Sequence, residues 1–222
     1  MPGPAEAVEL SAVDGALRLT LQLPEGASSA VAAPLDLSAA PGVAVDVRRA
    51  WQFSGDGRVE LACVRAAADR WVEGLEGAVL DGASATVRKL GGFASITPAG
   101  AVRAGLAVQQ DFSGRTADGE IGAALHGKHV LGFTGAPHQV ALCTVTCVTP
   151  RAEQAQQPST VPCEHTAATL EVRGFVEAPP PGIVSRALGW TAAHPMLVGV
   201  GTAMVVLLGV ALLLRRRPRP RW

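Results

Sequence analysis

The side chains best suited to chemistry are histidines and cysteines that cluster in the second half of the chain. His126 and His129 flank a Gly-Lys dipeptide. A two-residue hairpin loop at that dipeptide would make the two imidazoles face each other across paired strands. Cys163 and His165 add a thiol and a third imidazole, and nitrogen and sulfur ligands are those that zinc prefers in proteins. These four residues are the candidate metal ligands, but we predict no metal, because polar residues at a strand end are the favoured interpretation of the two histidines.

The tripeptide Cys163-Glu164-His165 also contains the groups that a thiol enzyme needs. A nucleophilic cysteine requires a neighbouring base to form its thiolate, although adjacency in the sequence does not establish hydrogen-bond geometry. The sequence contains no G-x-S-x-G, P-loop, H-E-x-x-H or C-x-x-C motif. We therefore predict no catalytic residue and no cofactor, with a membrane-tethered hydrolase or thiol enzyme as the alternative function.

The four cysteines of the chain admit two interpretations. Cys143 and Cys147 would share one face of a strand about 13 Å apart, which is too far for a disulfide between them. Cys147 could instead pair with Cys163 across a polar loop, and Cys63 with Cys143 between two strands. These disulfides are expected only if the domain is extracytoplasmic. In a cytoplasmic domain, the favoured case, all four thiols would be reduced and would pack as small buried side chains.

Strand patterns dominate the part of the chain that must position these residues. Glu9 to Leu23 alternates apolar and polar residues on both sides of Asp14-Gly15, which predicts a hairpin with a two-residue turn. Val43–Phe53 and Arg58–Val64 form a second predicted pair. The remaining predicted strands are Leu106–Phe112, Glu120–His126, His129–Phe133, Gln139–Val148 and Thr169–Val176.

One soluble helix is predicted between these strands, from Asp69 to Leu80. Trp71, Leu75 and Val79 recur four residues apart on one helical face, and Gly82 can end the helix. Runs of strands around one or two helices are typical of the α+β class. We therefore expect an α+β domain with a mainly antiparallel sheet and one or two packed helices, followed by a C-terminal single transmembrane helix.

The transmembrane prediction rests on an uncharged stretch of 19 residues, Met196 to Leu214. As a helix it would span about 28 Å, close to the ~30 Å thickness of the hydrocarbon core. Arg215, Arg216 and Arg217 follow it directly, and a charged cluster after an apolar run is typical of a membrane anchor. The lipid bilayer is therefore a predicted partner.

The anchor resembles that of the YqjD-like family of bacterial tail-anchored inner-membrane proteins. The matching features are His194-Pro195, the glycine-rich segment 198–201, the Leu-Gly-Val step at 208–210 and Arg215-Arg216. The resemblance covers about 25 residues, and the chain departs from the family in its longer arginine-rich end and its globular-looking domain. In that family the N-terminal part is cytoplasmic, so the resemblance implies a cytoplasmic domain here.

Charge divides the chain into unlike parts. Residues 1–195 carry 14 basic and 19 acidic groups, a net charge of −5, whereas the last eight residues carry five arginines and no acid. A mildly acidic domain does not suit nucleic acid, which we exclude as a partner. A run of three prolines from Pro179 favours an extended tether. The predicted organisation is a soluble domain at 1–177, a Pro-rich tether and juxtamembrane segment at 178–195, a transmembrane helix at 196–214 and an Arg-rich tail at 215–222.

These features predict a single-pass, tail-anchored membrane protein that presents a non-catalytic binding domain to an unidentified protein partner. Gly199 and Ala203 have the spacing that lets two helices approach closely, so a homodimer through them is an alternative, although the ordinary small-residue content of an anchor is the favoured explanation. The N-terminus lacks the basic and apolar segments of a signal peptide, which favours a cytoplasmic domain. The positive-inside rule favours the opposite orientation. A second alternative function is therefore an exported, disulfide-stabilised domain that binds an envelope ligand.

Overall fold

Antiparallel strands make up most of the described chain. The computed structural model describes residues 6–32, 42–53, 57–68, 75–116, 124–135, 138–149 and 161–178. Its strands are β1 Ala7–Ala12, β2 Leu17–Gln22, β3 Ser28–Ala30, β4 Val43–Phe53, β5 Gly57–Ala67, β6 Phe93–Pro98, β7 Val102–Ala104, β8 Ala107–Thr116, β9 Ala124–Phe133, β10 Gln139–Val148 and β11 Glu171–Arg173. The helices in these residues are α1 Leu75–Gly91 and α2 Val161–Ala168.

The predicted α+β class is therefore wrong, because the described residues form a mostly β structure with two short helices. The physical reason is the length of the period-two alternation. Strands β4 and β5 each extend over 11 residues and β8, β9 and β10 over 10, so most of the chain pairs in ladders. The two helices pack on parts of the sheets and do not form a separate helical layer.

The first two predicted strand pairs are confirmed. Strands β1 and β2 pair antiparallel, and Asp14 and Gly15 between them have positive φ angles of 52° and 87°. The N–H of Ala16 donates to the carbonyl of Val13 at 2.9 Å and closes this turn. A two-residue turn with positive φ at both central residues matches the right-handed twist of the flanking strands. Strands β4 and β5 also pair antiparallel, with a bulge between Val45 and Val47.

The strands form two sheets. The smaller sheet has the order β1-β2-β11, and the larger has the order β3-β4-β5-β10-β9-β8-β6, with β7 also paired to β8. All of these pairs are antiparallel. The two ends of β8 have different neighbours, because β7 pairs with its first residues and β6 with its last ones.

The larger sheet buries its two faces against different partners. We call the face that carries Val130, Cys143 and Val145 the inner face, and the face that carries Phe112, His129 and Thr144 the outer face. Side chains of the inner face belong to one buried cluster with the leucines of β2, so the smaller sheet packs on this side. Leu61 is fully buried in that cluster, and removing such a side chain typically costs about 2–5 kcal/mol.

Helix α1 lies against the outer face, and its predicted end at Leu80 is wrong. It begins at Leu75 and continues to Gly91, so Gly82 does not end it. Gly92 does, because it adopts a φ of 65°, the left-handed conformation that closes helices at the residue after the last turn. Glu76 lies near the positive N-terminal end of the helix dipole and basic side chains lie near its negative C-terminal end, and both arrangements stabilise the helix. Residues 69–74, including Trp71, lie outside the described residues.

The predicted transmembrane helix at 196–214 finds no support in the structure. The span lies outside the described residues, as do the tether at 179–195 and the arginines that follow the span. Within the described ranges, neither helix is long and apolar enough to cross a membrane.

Candidate functional site

His126 and His129 lie on opposite faces of one strand. Strand β9 continues without a break through Gly127 and Lys128, so the predicted hairpin loop at that dipeptide is wrong. Residues three apart in a strand point to opposite sides. His126 is accordingly on the inner face and His129 on the outer face, and the two imidazoles cannot share a metal ion.

Gly127 is a packing position instead of a turn. A Cβ atom at this residue would clash with the ring of Phe112 and lie 2.6 Å from the carbonyl oxygen of Val145. Phe112 is the direct cross-strand neighbour of Gly127 on β8. The glycine therefore lets an aromatic ring lie flat on the outer face, which is a common reason for glycine inside a strand.

All four cysteines of the chain are paired. Cys63 is bonded to Cys143 between β5 and β10, and Cys147 is bonded to Cys163 between β10 and α2. These are the two pairs that the extracytoplasmic interpretation requires. Because Cys163 is fully buried and disulfide-bonded, it supplies neither a thiolate nucleophile nor a metal ligand in this state.

The remaining members of the predicted metal set are also separated. His165 lies on α2, where its Nε2 is 3.0 Å from Oε1 of Gln22 on β2. In the described part of the chain, no group of three or more His, Cys, Asp and Glu side chains is arranged to hold a metal ion. The four candidate ligands are not brought together.

His129 belongs to a closed polar cluster between α1 and the outer face. Its Nε2 is 3.1 Å from Oγ of Ser84, its Nδ1 is 2.7 Å from Oγ1 of Thr144, and its ring stacks on Phe112 at 4.4 Å. The imidazole is fully buried, and burial lowers the pKa of His129 to about 4. A neutral imidazole with both nitrogens engaged ties the helix to the sheet, which is a structural role.

His126 opens onto a polar pocket on the inner face. The pocket has a volume of about 330 Å³ and lies where β6, β8 and β9 meet the start of α2. It is lined by Ser95, Thr97, Ser113, Gly114, Arg115, Ala124, His126 and Glu164. Three hydroxyls, a guanidinium, an imidazole and a carboxylate therefore surround one small space.

The strand register places these side chains next to each other. Ser113 is the direct neighbour of His126, and Arg115 is the direct neighbour of Ala124, across β8 and β9. On the other side of β8, Ser95 pairs with Arg115 and Thr97 pairs with Ser113. Directly opposed residues of antiparallel strands share a face with their Cβ atoms about 5 Å apart, so the polar groups form one continuous patch.

Helix α2 forms the remaining wall and is fixed at both ends. The Cys147–Cys163 disulfide holds its first turn to β10. Nζ of Lys128 donates to the carbonyl of Ala168 at 2.8 Å, at the end of the helix where a cation opposes the negative end of the dipole. Glu164 is thereby held with Oε1 at 3.7 Å from Nε2 of His126.

The described arginines differ in whether an acidic side chain lies within ion-pair distance. Arg48, Arg65 and Arg173 each lie within ion-pair distance of an acidic side chain. Among the described residues, Arg115 has no such partner. Its guanidinium is exposed at the pocket with its donors available.

Sequence reasoning found His126 and Glu164 but missed the residues of β6 and β8. Strand β6 was not predicted, and β8 continues beyond the predicted end at Phe112. A signal was present, because Ser113 and Arg115 continue the polar alternation that begins at Gln109 and Asp111. Comparison with known proteins adds no assignment, since no family model and no curated protein matches the chain.

Proposed function

We propose that this β domain is an exported binding module that holds a small polar ligand in the pocket between β6, β8, β9 and α2. The observation that carries the proposal is the way the pocket wall is built. The first turn of α2, which carries Glu164, is held to the sheet by the Cys147–Cys163 disulfide, so an oxidised cysteine pair fixes one wall of the pocket. Disulfides form and persist in oxidising compartments and are rare in the cytoplasm.

The lining of the pocket supports a polar ligand. Small-molecule sites usually have volumes of about 300–1,000 Å³ and a few convergent polar groups. The pocket of about 330 Å³ lies at the lower end of that range, and six of its eight lining residues carry a hydroxyl, a charge or an imidazole. An apolar ligand would leave these groups without hydrogen bonds, at a cost of about 1–3 kcal/mol for each group that is buried.

The exported orientation agrees with the charge of the predicted tail. The positive-inside rule would place Arg215, Arg216 and Arg217 in the cytoplasm and the preceding domain on the other side of the membrane. The membrane attachment itself rests on the sequence alone. The two disulfides in the core of the domain support the exported orientation over the cytoplasmic one.

Binding is supported more directly than hydrolysis. Serine hydrolase sites combine a serine, a histidine and an acidic residue, and the pocket places Ser113, His126 and Glu164 next to each other. Within the described residues, however, no hydrogen bond joins Ser113 to His126. The thiol alternative has no free thiol, because all four cysteines are bonded.

The redox state of the protein in its own cells tests the exported location. Cells are quenched with acid to trap thiols, and the protein is then treated with a polyethylene-glycol maleimide that adds about 5 kDa per free thiol. We expect no addition without reductant and four additions after reduction, because the chain has four cysteines in two disulfides. Four additions without reductant would contradict the proposal.

A pocket-filling variant tests the binding role. Ala124 lines the pocket, so Ala124→Leu adds three carbon atoms to the space where the ligand would lie. Ala44→Leu, at an exposed position of β4, is the matched control. Any ligand bound at the proposed site should be lost in the first variant and retained in the second. A ligand that binds both variants equally well binds elsewhere.

A further inference from the structure

We propose that the ligand of the pocket is a small hydroxylated carboxylate of the sugar-acid type, held through its carboxylate by Arg115. The inference rests on the proposed binding function of the pocket and names the class of ligand that its side chains fit. Four features of the site support it: a guanidinium without an acidic partner among the described residues, a row of hydroxyls, a carboxylate with an imidazole on the α2 side, and the size of the space.

Arg115 supplies the group that recognises the carboxylate. A guanidinium presents its N–H donors in a planar fork that matches the two oxygens of a carboxylate, and such bidentate pairs are among the strongest hydrogen bonds in proteins. In the described part of the chain, no acidic side chain occupies this fork. Arg115, with no acidic partner in the described ranges, is available at the pocket for an anionic ligand.

The hydroxyls of Ser95, Thr97 and Ser113 match the hydroxyls of the ligand. Each can donate one hydrogen bond and accept others, so the same side chain serves a ligand O–H in either role. Ser95 lies directly beside Arg115, and Thr97 lies directly beside Ser113. The hydroxyls therefore extend away from the guanidinium, as the hydroxyls of a sugar acid extend away from its carboxylate.

Glu164 and His126 decide between a carboxylate and a phosphate. The two side chains form the α2 side of the same pocket, with Glu164 Oε1 at 3.7 Å from His126 Nε2. The oxygens of Glu164 accept hydrogen bonds from neutral ligand hydroxyls, whereas they repel additional negative charge at short range. A phosphate monoester carries about two charges at neutral pH, and a carboxylate carries one. The acidic wall therefore favours the carboxylate.

The size and lining of the pocket favour a small polar ligand. A space of about 330 Å³ suits a single ring with its substituents, and the described residues that line it include no Phe or Trp. The apolar contacts come from Ala124 and the backbone at Gly114. The ligand must therefore gain most of its affinity from hydrogen bonds and charge.

Three probes of similar size test the inference on the full chain, purified in mild detergent with its disulfides oxidised. The probes are D-glucuronate, D-glucose and D-glucose 6-phosphate, and isothermal titration calorimetry measures their dissociation constants. We expect saturable binding of glucuronate and at least tenfold weaker binding of the other two. Arg115→Gln should weaken glucuronate binding by about 10- to 100-fold, the range that a hydrogen bond to a charged group contributes.

The control variants separate the ligand class from the fold. Arg173→Gln removes an exposed arginine that pairs with Glu171 on the smaller sheet, and it should bind glucuronate like the wild type. Arg115→Lys keeps the charge but loses the fork, and its affinity should lie between those of the wild type and Arg115→Gln. The disulfides and the thermal unfolding curve of each variant show whether it is folded.

Each other outcome overturns the inference. Equal binding of glucose, tighter binding of the phosphate, no binding of any probe by the folded wild type, or an unchanged affinity of Arg115→Gln would each contradict a sugar-acid site. If glucose or the phosphate binds and Ala124→Leu abolishes that binding, the pocket still binds a ligand and only the ligand class is wrong. If a probe binds Ala124→Leu as it binds the wild type, the proposed function of the pocket fails as well.

Discussion

Replacement of His129 should remove a large part of the acid sensitivity of this domain. The imidazole is fully buried between α1 and the outer face, with hydroxyls of Ser84 and Thr144 on its two nitrogens. Both hydroxyls can accept or donate, so the neutral ring is satisfied by one hydrogen bond in each direction. A charged ring would keep these partners but would lack the solvation that water gives it, and burial lowers its pKa to about 4.

The sign and size of the effect follow from this pKa. The pKa of His129 is near 6.5 in the unfolded chain and about 4 in the folded protein. Between these values the unfolded state holds more protons, so the free energy of unfolding falls as the pH falls. The difference of about 2.5 pH units, at 1.36 kcal/mol each, gives a loss of about 3 kcal/mol when titration is complete.

Two measurements check this reasoning. The NMR signals of the five histidines are followed from pH 8 to pH 3.5, and the signal that disappears in His129→Gln should titrate near pH 4. Urea unfolding at the same pH values should show the wild type losing about 2–3 kcal/mol more than His129→Gln between pH 6.5 and pH 4. His165→Gln, at an exposed position of α2, is the control and should follow the wild type. Parallel pH profiles of the wild type and His129→Gln would refute a buried neutral imidazole.

Two further predictions concern the disulfides and the glycine inside β9. Removing the Cys63–Cys143 pair, which closes 80 residues, should cost about 4–5 kcal/mol in the free energy of unfolding, and removing the Cys147–Cys163 pair, which closes 16, about 3 kcal/mol. Urea unfolding of the two double Cys→Ala variants checks the order, and the reverse order would contradict the loop-closure argument. Gly127→Ala should lower the unfolding free energy by about 1–3 kcal/mol because its Cβ meets the Phe112 ring and the Val145 carbonyl, whereas Gly100→Ala has open space and should change little. Thermal unfolding of both variants measures the difference, and equal melting temperatures would show that the sheet relaxes around the added methyl group.

Local alternation was enough to predict the strands whose partners follow directly in the chain. The hairpin at Asp14-Gly15 needs only a turn dipeptide and alternating residues on both sides, and the structure has it. Strand β10 has the predicted bounds, Gln139 to Val148. In these segments, the buried face and the turn can both be recognised within about ten residues of sequence.

The errors concern residues whose environment is set by distant parts of the chain. Gly127 looked like a turn because glycine commonly interrupts strands, but its role depends on Phe112 in the neighbouring strand. The helix at Val161–Ala168 has no clear apolar periodicity, and a disulfide to β10 and a hydrogen bond from Lys128 hold it in place. Neither contact can be recognised from the local pattern around it.

The candidate site arises where the apolar inner face comes to an end. Along β9 the inner-face positions change from Val130, which is fully buried, to Lys128 and then to His126. Lys128 reaches the last carbonyl of α2, and His126 faces Glu164 in its first turn, so the helix covers the point where apolar packing gives way to polar side chains. Beyond that point the cross-strand neighbours are serine, threonine and arginine, which cannot close the space by apolar packing. The pocket thus follows from the side chains of three strands and one disulfide-bonded helix, and its polar character is a property of the same residues that end the core.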